Sequence, residues 1–271
     1  MLYLDLETYS ELDIRKVSLD QYASHPSTRI LMCAYAGEEG PVEIWEESDG
    51  KAALASLAAR LRRETLVPWN CGFERNLIRC SWKMQRLQWQ DAMVWALYAG
   101  LPAGLKDANR VPYFANESAT TKETLLINKF CKPQKDGSIR DRNSDPEEWE
   151  AFKDYCKRDV FDTRLIMQWL MKHYSLPARV VRAWEIDQRI NERGMPIDRL
   201  LTERALVESQ RLQAESVAKL KELTQLDNPN SPAQMLAWLT ERGYPYTSLG
   251  KELVLKALKE DPDGEATDDD E

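Results

Sequence analysis

The chain has 271 residues, of which 43% are hydrophobic and 30% are charged, a composition that excludes an intrinsically disordered protein and leaves room for one large domain or two modest ones. No stretch approaches the roughly 20 consecutive apolar residues of a membrane span, so no membrane partner is expected. The net charge of −8 at pH 7 argues against a protein that coats nucleic acid through bulk positive charge, although it allows an enzyme that grips one end of a strand.

The metal-ligating residue types limit the kinds of site that the chain can build. Its five cysteines are odd in number and no two have CxxC spacing, a pattern typical of reduced thiols and not of a disulfide framework or a cysteine-based zinc site. Because there are only two histidines, any bound metal is expected to be held by carboxylates. The first predicted strand begins within two residues of the N-terminus and leaves no room for a signal peptide, so we expect a cytoplasmic protein.

The first predicted element is a strand over residues 2–8, where apolar and polar side chains roughly alternate. Successive side chains of a strand point to opposite faces, so Leu4 and Leu6 share one face and Asp5 and Glu7 the other. Taken alone, the acidic pair is typical of a solvated edge strand. It becomes a candidate site for a divalent cation if the rest of the chain supplies further carboxylates.

The elements that follow predict a mixed α/β sheet with helices on its faces. They are, in order, a strand over 29–36, a strand over 42–45, a helix over 51–63, a strand over 65–67 and a helix from about Phe73. The first two strands are separated by glycine and proline, which favours an antiparallel hairpin. A right-handed crossover would place the fourth strand beside the first, and Glu74 would then lie close to Asp5 and Glu7.

The middle of the chain is less informative. A helix is predicted over 91–100 and a looser section around 109–121. Basic residues are frequent in this region and could line a phosphate path, although a solvated basic surface fits equally well. These residues are Lys106, Arg110, Lys122, Lys129, Lys132 and Lys135.

A long helix is predicted from Asp145-Pro-Glu-Glu148 to about Tyr174, with Asp as N-cap, Pro in the first turn and Glu closing a capping box. Tyr155 and Asp159 are one turn apart on the same face, whereas Asp162 is expected to be a surface acid. Side chains at spacings of three or four form the predicted inward stripe: Trp149, Phe152, Cys156, Thr163, Ile166 and Leu170.

Beyond Pro177 the pattern changes to helices without strands. They are predicted over 178–193, 200–223, 231–242 and 251–259. We therefore predict a first domain of residues 1–175, a helical segment of residues 176–260 and an acidic, disordered tail of residues 261–271.

Three short motifs occur in order along the chain: Asp5-Leu-Glu7, Asn70-x-x-Phe73-Glu74 and Tyr155-x-x-x-Asp159. They resemble the three exonuclease motifs of the DEDD superfamily, in the tyrosine-bearing branch that includes the proofreading domain of family A DNA polymerases. Phage-type members are the most similar in local sequence, as in the segments Leu4-Asp-Leu-Glu-Thr-Tyr-Ser10, Phe130-Cys-Lys-Pro133 and Asp187-Gln-Arg-Ile-Asn-Glu-Arg-Gly194. The resemblance covers most of the chain. It implies a ribonuclease H-like mixed sheet flanked by helices, followed by an all-helical C-terminal segment similar to the start of a family A polymerase domain.

The resemblance implies a 3′→5′ exonuclease that removes nucleoside 5′-monophosphates from DNA with two divalent metal ions, Mg²⁺ or Mn²⁺. Asp5 would bridge both ions, Glu7 and Asp159 would complete the shell of the first, and Glu74 would hold the second through water. Tyr155 would orient the attacking water. The family usually has Asp at the position of Glu74, so the geometry of the second ion is expected to differ. A further departure is Pro68-Trp69, where many relatives carry a histidine.

The same resemblance gives weaker roles to three residues near the expected 3′ end. Thr8 and Asn70 could contact the substrate, although both also suit capping groups of a strand and a loop. Leu12 could wedge between terminal bases. The expected partners are single-stranded DNA or a frayed primer 3′ end, and the polymerase portion of the same or a companion chain. Polymerase activity itself is not expected here, because no strand-rich palm follows residue 178.

Two other functions fit the same motifs. The first is an RNA 3′→5′ exonuclease of the same fold, since the motifs bind phosphate and metal and not the sugar. The second is a catalytically silent DEDD module that binds DNA or docks a polymerase subunit, an alternative that Glu74 keeps open. If a phage encodes the protein, the expected compartment is the cytoplasm of its host cell.

Overall fold

The computed structural model describes residues 1–111, 114 and 122–260. Most of the predicted looser section around 109–121, and all of the predicted acidic tail of 261–271, lie outside the described residues. The chain divides into two compact units, Met1–Glu192 and a second that begins at Arg193. The sequence pattern predicts the domain boundary near residue 175. In the structure the boundary follows Glu192, and the helix after Pro177 falls in the first unit.

The first unit is built around a five-stranded mixed sheet with the order β3-β2-β1-β4-β5. Its strands are β1 (Leu2–Tyr9), β2 (Arg29–Ala36), β3 (Glu43–Glu46), β4 (Thr65–Val67) and β5 (Gln88–Trp89). β2 and β3 form the predicted antiparallel hairpin, and β4 lies parallel to β1 as the crossover predicts. β1 therefore occupies the centre of the sheet. This position excludes the interpretation of Asp5 and Glu7 as the acidic face of a solvated edge strand.

The described helices follow the predicted order, with three additions. They are α1 (Leu19–Ser24), α2 (Gly50–Arg63), α3 (Gly72–Ser81), α4 (Ala92–Tyr98), α5 (Leu105–Asn109), α6 (Lys122–Phe130), α7 (Pro146–His173), α8 (Ala178–Arg193), α9 (Arg199–Thr224), α10 (Pro232–Thr240) and α11 (Lys251–Glu260). The additions are α1, α5 and α6. In the described part of the chain, no helix is both long and apolar enough to cross a bilayer.

Helices cover both faces of the sheet because β1 is apolar on one face and mixed on the other. Leu4 of β1 and Leu61 of α2 belong to one buried cluster. Tyr3 of β1 packs on the opposite face with Phe130 of α6 and Phe152 of α7. Burying each such side chain contributes roughly 1.5–3 kcal/mol. Asp5 and Glu7 share the face of Tyr3 and so point toward α7.

The architecture confirms the predicted α/β class, with helices on both faces of a mixed sheet and an all-helical part after it, and it is compatible with a ribonuclease H-like fold. The inward stripe of α7 is also confirmed, because all six predicted side chains are buried.

Two predictions about α7 were wrong. Asp145 stands at the N-cap but makes no capping hydrogen bond. Its carboxylate lies 2.6 Å from Lys129 Nζ, which also pairs with Glu148, so both residues of the predicted capping box are used in ion pairs. Asp162 is only 7% exposed, because it faces Asn109 of the unpredicted helix α5 and accepts a hydrogen bond of 2.9 Å from its Nδ2.

Arg75 of α3 connects α8 to the rest of the first unit. Its Nε donates to Glu192 Oε1 at 3.0 Å. The guanidinium carbon also lies 5.7 Å from the ring centroid of Trp89 and 6.0 Å from that of Trp184, both within the range of a cation–π contact. One arginine thus joins α3, β5 and α8.

The second unit has little core of its own in its described residues. Among residues 193–259, only Thr224 and Pro229 are buried. α9 begins at an N-cap in which Asp198 accepts from Leu201 N at 3.0 Å. Its stability as a helix therefore comes mainly from capping and local interactions.

Candidate active site

β1, the central strand of the sheet, presents Asp5 and Glu7 to α7. Glu7 is 9% exposed, whereas Asp5 keeps intermediate exposure. The pairing of β1 with β2 shifts register between Glu7 and Thr8. Such irregularities are frequent next to functional sites because they re-aim side chains. Both carboxylates are therefore held by a strand that is fixed on both sides.

Glu74 approaches from the first turn of α3, and a buried aspartate fixes the loop before it. Asp91 accepts hydrogen bonds from Asn70 N and Cys71 N at 3.0 and 2.9 Å, and from Met93 N at 3.0 Å. Asn70 itself has a φ of 61°, a left-handed conformation that asparagine tolerates better than most residues. Asp91 thus holds together the starts of α3 and α4, and it sets where Glu74 points.

Tyr155 and Asp159 approach from α7, one turn apart as predicted. A hydrogen bond joins the Tyr155 hydroxyl to Asp159. The Tyr155 ring stacks on Phe152 with centroids 6.2 Å apart, and Phe152 is fully buried against the sheet. The aromatic stack therefore fixes the orientation of the tyrosine toward the carboxylates.

The four carboxylates are close enough for their charges to act on one another. Burial raises the pKa of Glu7 well above its usual range, and the charges of Asp5, Asp159 and Glu74 raise it further. The pKa of Asp5 is raised by burial and then by Asp159. The pKa of Glu74 is raised by burial and then by Asp5. The predicted residues are thus brought together from β1, α3 and α7.

The donor set fits divalent cations. Glu74 is 3% exposed and its Oε2 has no hydrogen-bond partner among the described residues, a costly arrangement unless a cation satisfies the oxygen. Four carboxylates need more than one unit of positive compensation. Carboxylate oxygens are the ligands that Mg²⁺ and Mn²⁺ prefer, and two such ions roughly 3.5–4 Å apart suit in-line phosphoryl displacement.

One of the predicted basic residues lies beside Tyr155. Lys106 Nζ is 5.6 Å from the centroid of the Tyr155 ring, and α5 is tied to α7 by the buried hydrogen bond between Asn109 and Asp162. Lys129 is instead engaged in the ion pairs at the start of α7. The side chain of Lys122 lies outside the described part of the chain.

Two cysteines adjoin the carboxylates, and the sequence prediction gave a role to neither. Cys156 Sγ lies 3.5 Å from Asp5 Oδ2 and 3.8 Å from the Asp5 carbonyl oxygen. Cys131 Sγ lies 3.7 Å from Glu7 Oε2. Burial raises the pKa of both thiols, and the nearby carboxylates raise it further. Both thiols therefore stay protonated at neutral pH and donate to the carboxylates.

The three residues with weaker predicted roles do not all reach the carboxylates. The Thr8 hydroxyl is buried and lies 2.9 Å from the Tyr22 hydroxyl, so it serves the packing of α1 against β1. Asn70 is exposed and contributes its backbone N–H to Asp91. Leu12 is partly buried against the cluster that contains Leu4. Their substrate contacts stay predictions.

The residues that sequence reasoning missed differ in how visible they were. Cys156 directly follows Tyr155 and belongs to the predicted inward stripe, so helical spacing could have placed it beside the site. Cys131 gives no such signal, because a backbone hydrogen bond of 3.2 Å from Ser10 N to its carbonyl oxygen brings it to the end of β1. Asp91 resembles an ordinary helix cap in sequence, and its bonds to Asn70 and Cys71 are visible only in three dimensions.

Comparison with known proteins relates the chain to a phage protein. No family model matches it. It is 33% identical over 267 residues to the protein named DNA polymerase of Bacillus phage SP02, an alignment that covers 95% of this chain. The chain spans 41% of the length of that relative. It is therefore related to part of a phage DNA polymerase.

Proposed function

We propose that the chain is a metal-dependent 3′→5′ exonuclease that acts on DNA, as the proofreading part of a phage-like DNA polymerase. The observation that carries this proposal is the meeting of Asp5, Glu7, Glu74 and Asp159, with Tyr155 hydrogen-bonded to the last of them. The similarity to a phage protein named DNA polymerase supports DNA as the substrate and a polymerase portion as the partner.

The carboxylates would hold two divalent ions, Mg²⁺ or Mn²⁺. Asp5, Glu7 and Asp159 would bind one ion, and Asp5 and Glu74 the other. When bound, the ions supply the positive charge that polarises the scissile phosphodiester and makes the attacking water more acidic. The fixed backbone of β1 and the first turn of α3 keep the carboxylates in place, so little reorganisation is needed when substrate binds.

Tyr155 would position the attacking water without taking its proton. Burial and the charge of Asp159 raise the pKa of the Tyr155 hydroxyl far above neutral pH, so it keeps its proton. That proton is donated to the Asp159 carboxylate, which leaves a lone pair on the Tyr155 oxygen to accept a hydrogen bond from water. The stacked ring then aims the water at the phosphorus atom.

Lys106 would balance the negative charge of the substrate. Its ammonium lies over the ring of Tyr155, on the side where α5 packs against α7. A phosphate that approaches the carboxylates brings additional negative charge, and a nearby lysine lowers the cost of that approach.

The test is nucleotide release from a 5′-labelled single-stranded DNA in Mg²⁺. Replacing Asp5 and Glu7 together with Ala is expected to slow release at least about 100-fold, with the far-ultraviolet circular dichroism unchanged. Asp154→Ala is the matched control, because Asp154 lies on α7 with its side chain 80% exposed. Degradation at the wild-type rate by the double variant would contradict the proposal.

Two further measurements separate the alternatives. An RNA of the same sequence tests sugar preference, and faster release from RNA would favour an RNA exonuclease. Calorimetric titration with MnCl₂ tests for a silent module: two bound ions with no nucleotide release would point to binding without catalysis.

A further inference from the structure

We propose that this site also binds thiophilic cations such as Zn²⁺ and Cd²⁺, with the sulfur of Cys156 as a ligand beside the carboxylates of Asp5 and Glu7. The inference deepens the proposed function, on which it rests only in using the same carboxylates. It assigns to α7 a third side chain directed at the metal site.

The geometry of the three side chains supports a shared ion. One ligand atom from each of Asp5, Glu7 and Cys156 lies within 4.8 Å of the other two. Zinc bonds of about 2.0–2.3 Å in a tetrahedral shell place neighbouring ligand atoms about 3.5 Å apart. The separation of 3.5 Å between Cys156 Sγ and Asp5 Oδ2 already has this value, so small side-chain rotations complete the shell.

A second observation points to a cation independently of the cysteine. Glu74 is almost fully buried, and its Oε2 has no hydrogen-bond partner among the described residues. The charge of Asp5 acts on this carboxyl, so the orphaned oxygen lies near Asp5, although Glu74 is outside the group of three ligand atoms. It is available as a ligand to a neighbouring ion.

Ligand preference then separates two kinds of ion in one site. Mg²⁺ and Mn²⁺ take oxygen and leave the thiol aside, whereas Zn²⁺ and Cd²⁺ favour sulfur. On binding, the S–H bond of Cys156 breaks, its proton passes to the buffer and its electron pair forms the bond to the ion. Cys156 is 0% exposed, so the resulting bond is shielded from water. A soft ion is thus expected to displace the hard ions and to inhibit the site.

The test is a titration of the full chain with CdCl₂ in the near ultraviolet, where a cadmium–thiolate bond gives a charge-transfer absorption. The wild type is expected to show the band at one equivalent. Cys156→Ser is expected to lose it and to bind Cd²⁺ at least about tenfold more weakly. Cys156→Ala is a second variant in case the serine disturbs the fold. Cys80→Ser, a half-buried cysteine of α3 that lies outside the carboxylate group, is the control and should keep the band.

The outcomes are distinguishable from those of the nuclease assay. Calorimetric affinity for MnCl₂ should change less than about twofold in Cys156→Ser, which shows that the carboxylates are still in place. A band that persists in both Cys156 variants, or that Cys131→Ser removes instead, would overturn the inference. So would one bound equivalent of Cd²⁺ without any band. None of these readings depends on whether the protein releases nucleotides.

Discussion

The carboxyl groups of Asp5, Glu7 and Glu74 are in surroundings that disfavour their charged form. Burial is the main cause of the raised pKa of each carboxyl, and the neighbouring carboxylates add to it. A carboxyl whose pKa is higher in the folded state than in the unfolded state binds more protons when folded. Its contribution to stability is complete at low pH and is lost as the pH rises from the usual carboxyl range through the raised pKa.

Neutralising one of these charges should therefore stabilise the metal-free protein. In EDTA, Asp5→Asn is expected to raise the free energy of unfolding by about 1–2 kcal/mol at pH 8 and by less at pH 5. Urea denaturation at both pH values measures the difference. Asp154→Asn should change stability by less than about 0.5 kcal/mol at either pH. An equal gain at the two pH values would show that the raised pKa is not its source.

The position of Lys106 leads to a prediction about substrate binding. Lys106→Ala is expected to weaken binding of a fluorescent single-stranded oligonucleotide several-fold and to reduce the slope of log K against log salt by about 0.7, the value for one phosphate contact. Anisotropy at several NaCl concentrations, with Ca²⁺ in place of Mg²⁺, gives both numbers. Lys172→Ala, at the exposed far end of α7, should leave the slope unchanged. An unaltered slope in Lys106→Ala would place the lysine outside the phosphate path.

At the scale of elements, the loop before α3 depends on one buried side chain. Asp91→Ala leaves the amides of Asn70, Cys71 and Met93 without their acceptor, which is expected to cost about 2–4 kcal/mol. Hydrogen exchange of these amides, followed by NMR, should accelerate together. Asp198→Ala removes only the exposed cap of α9 and is expected to cost about 0.5–1 kcal/mol. Equal, small effects of the two changes would mean that Asp91 acts only as a cap.

The elements also differ in how far sequence alone could predict them. β1 and α7 carry clear periodicity over a buried face, so their type and inward side chains were predictable. β5 has two residues and α5 has five, lengths at which no period can be recognised. The error at Asp162 follows directly, because its partner Asn109 lies on α5. The motifs identified the carboxylates, and helical spacing could have placed Cys156 beside them. Cys131 and the contacts of Asp91 depend on residues distant in sequence.

At the scale of the molecule, the two units differ in the burial that holds them. β1 and α7 lie in the core of the first unit, while α9 exposes large apolar side chains, with Leu201 and Val207 each 65% and Leu223 70% exposed. We expect amide hydrogens of α9 to exchange with solvent well before those of β1 and α7, because local opening there exposes little additional apolar surface. Hydrogen-exchange mass spectrometry measures this order. Equal protection of α9 and β1 would contradict it.

The fastening of α8 by Arg75 has a mechanical consequence. Arg75 directly follows Glu74 in α3, and its guanidinium is bonded to Glu192 and packed between Trp89 and Trp184. Glu192 is the last residue of the first unit. A displacement of the end of α8 would therefore act first on Arg75, the residue next to Glu74.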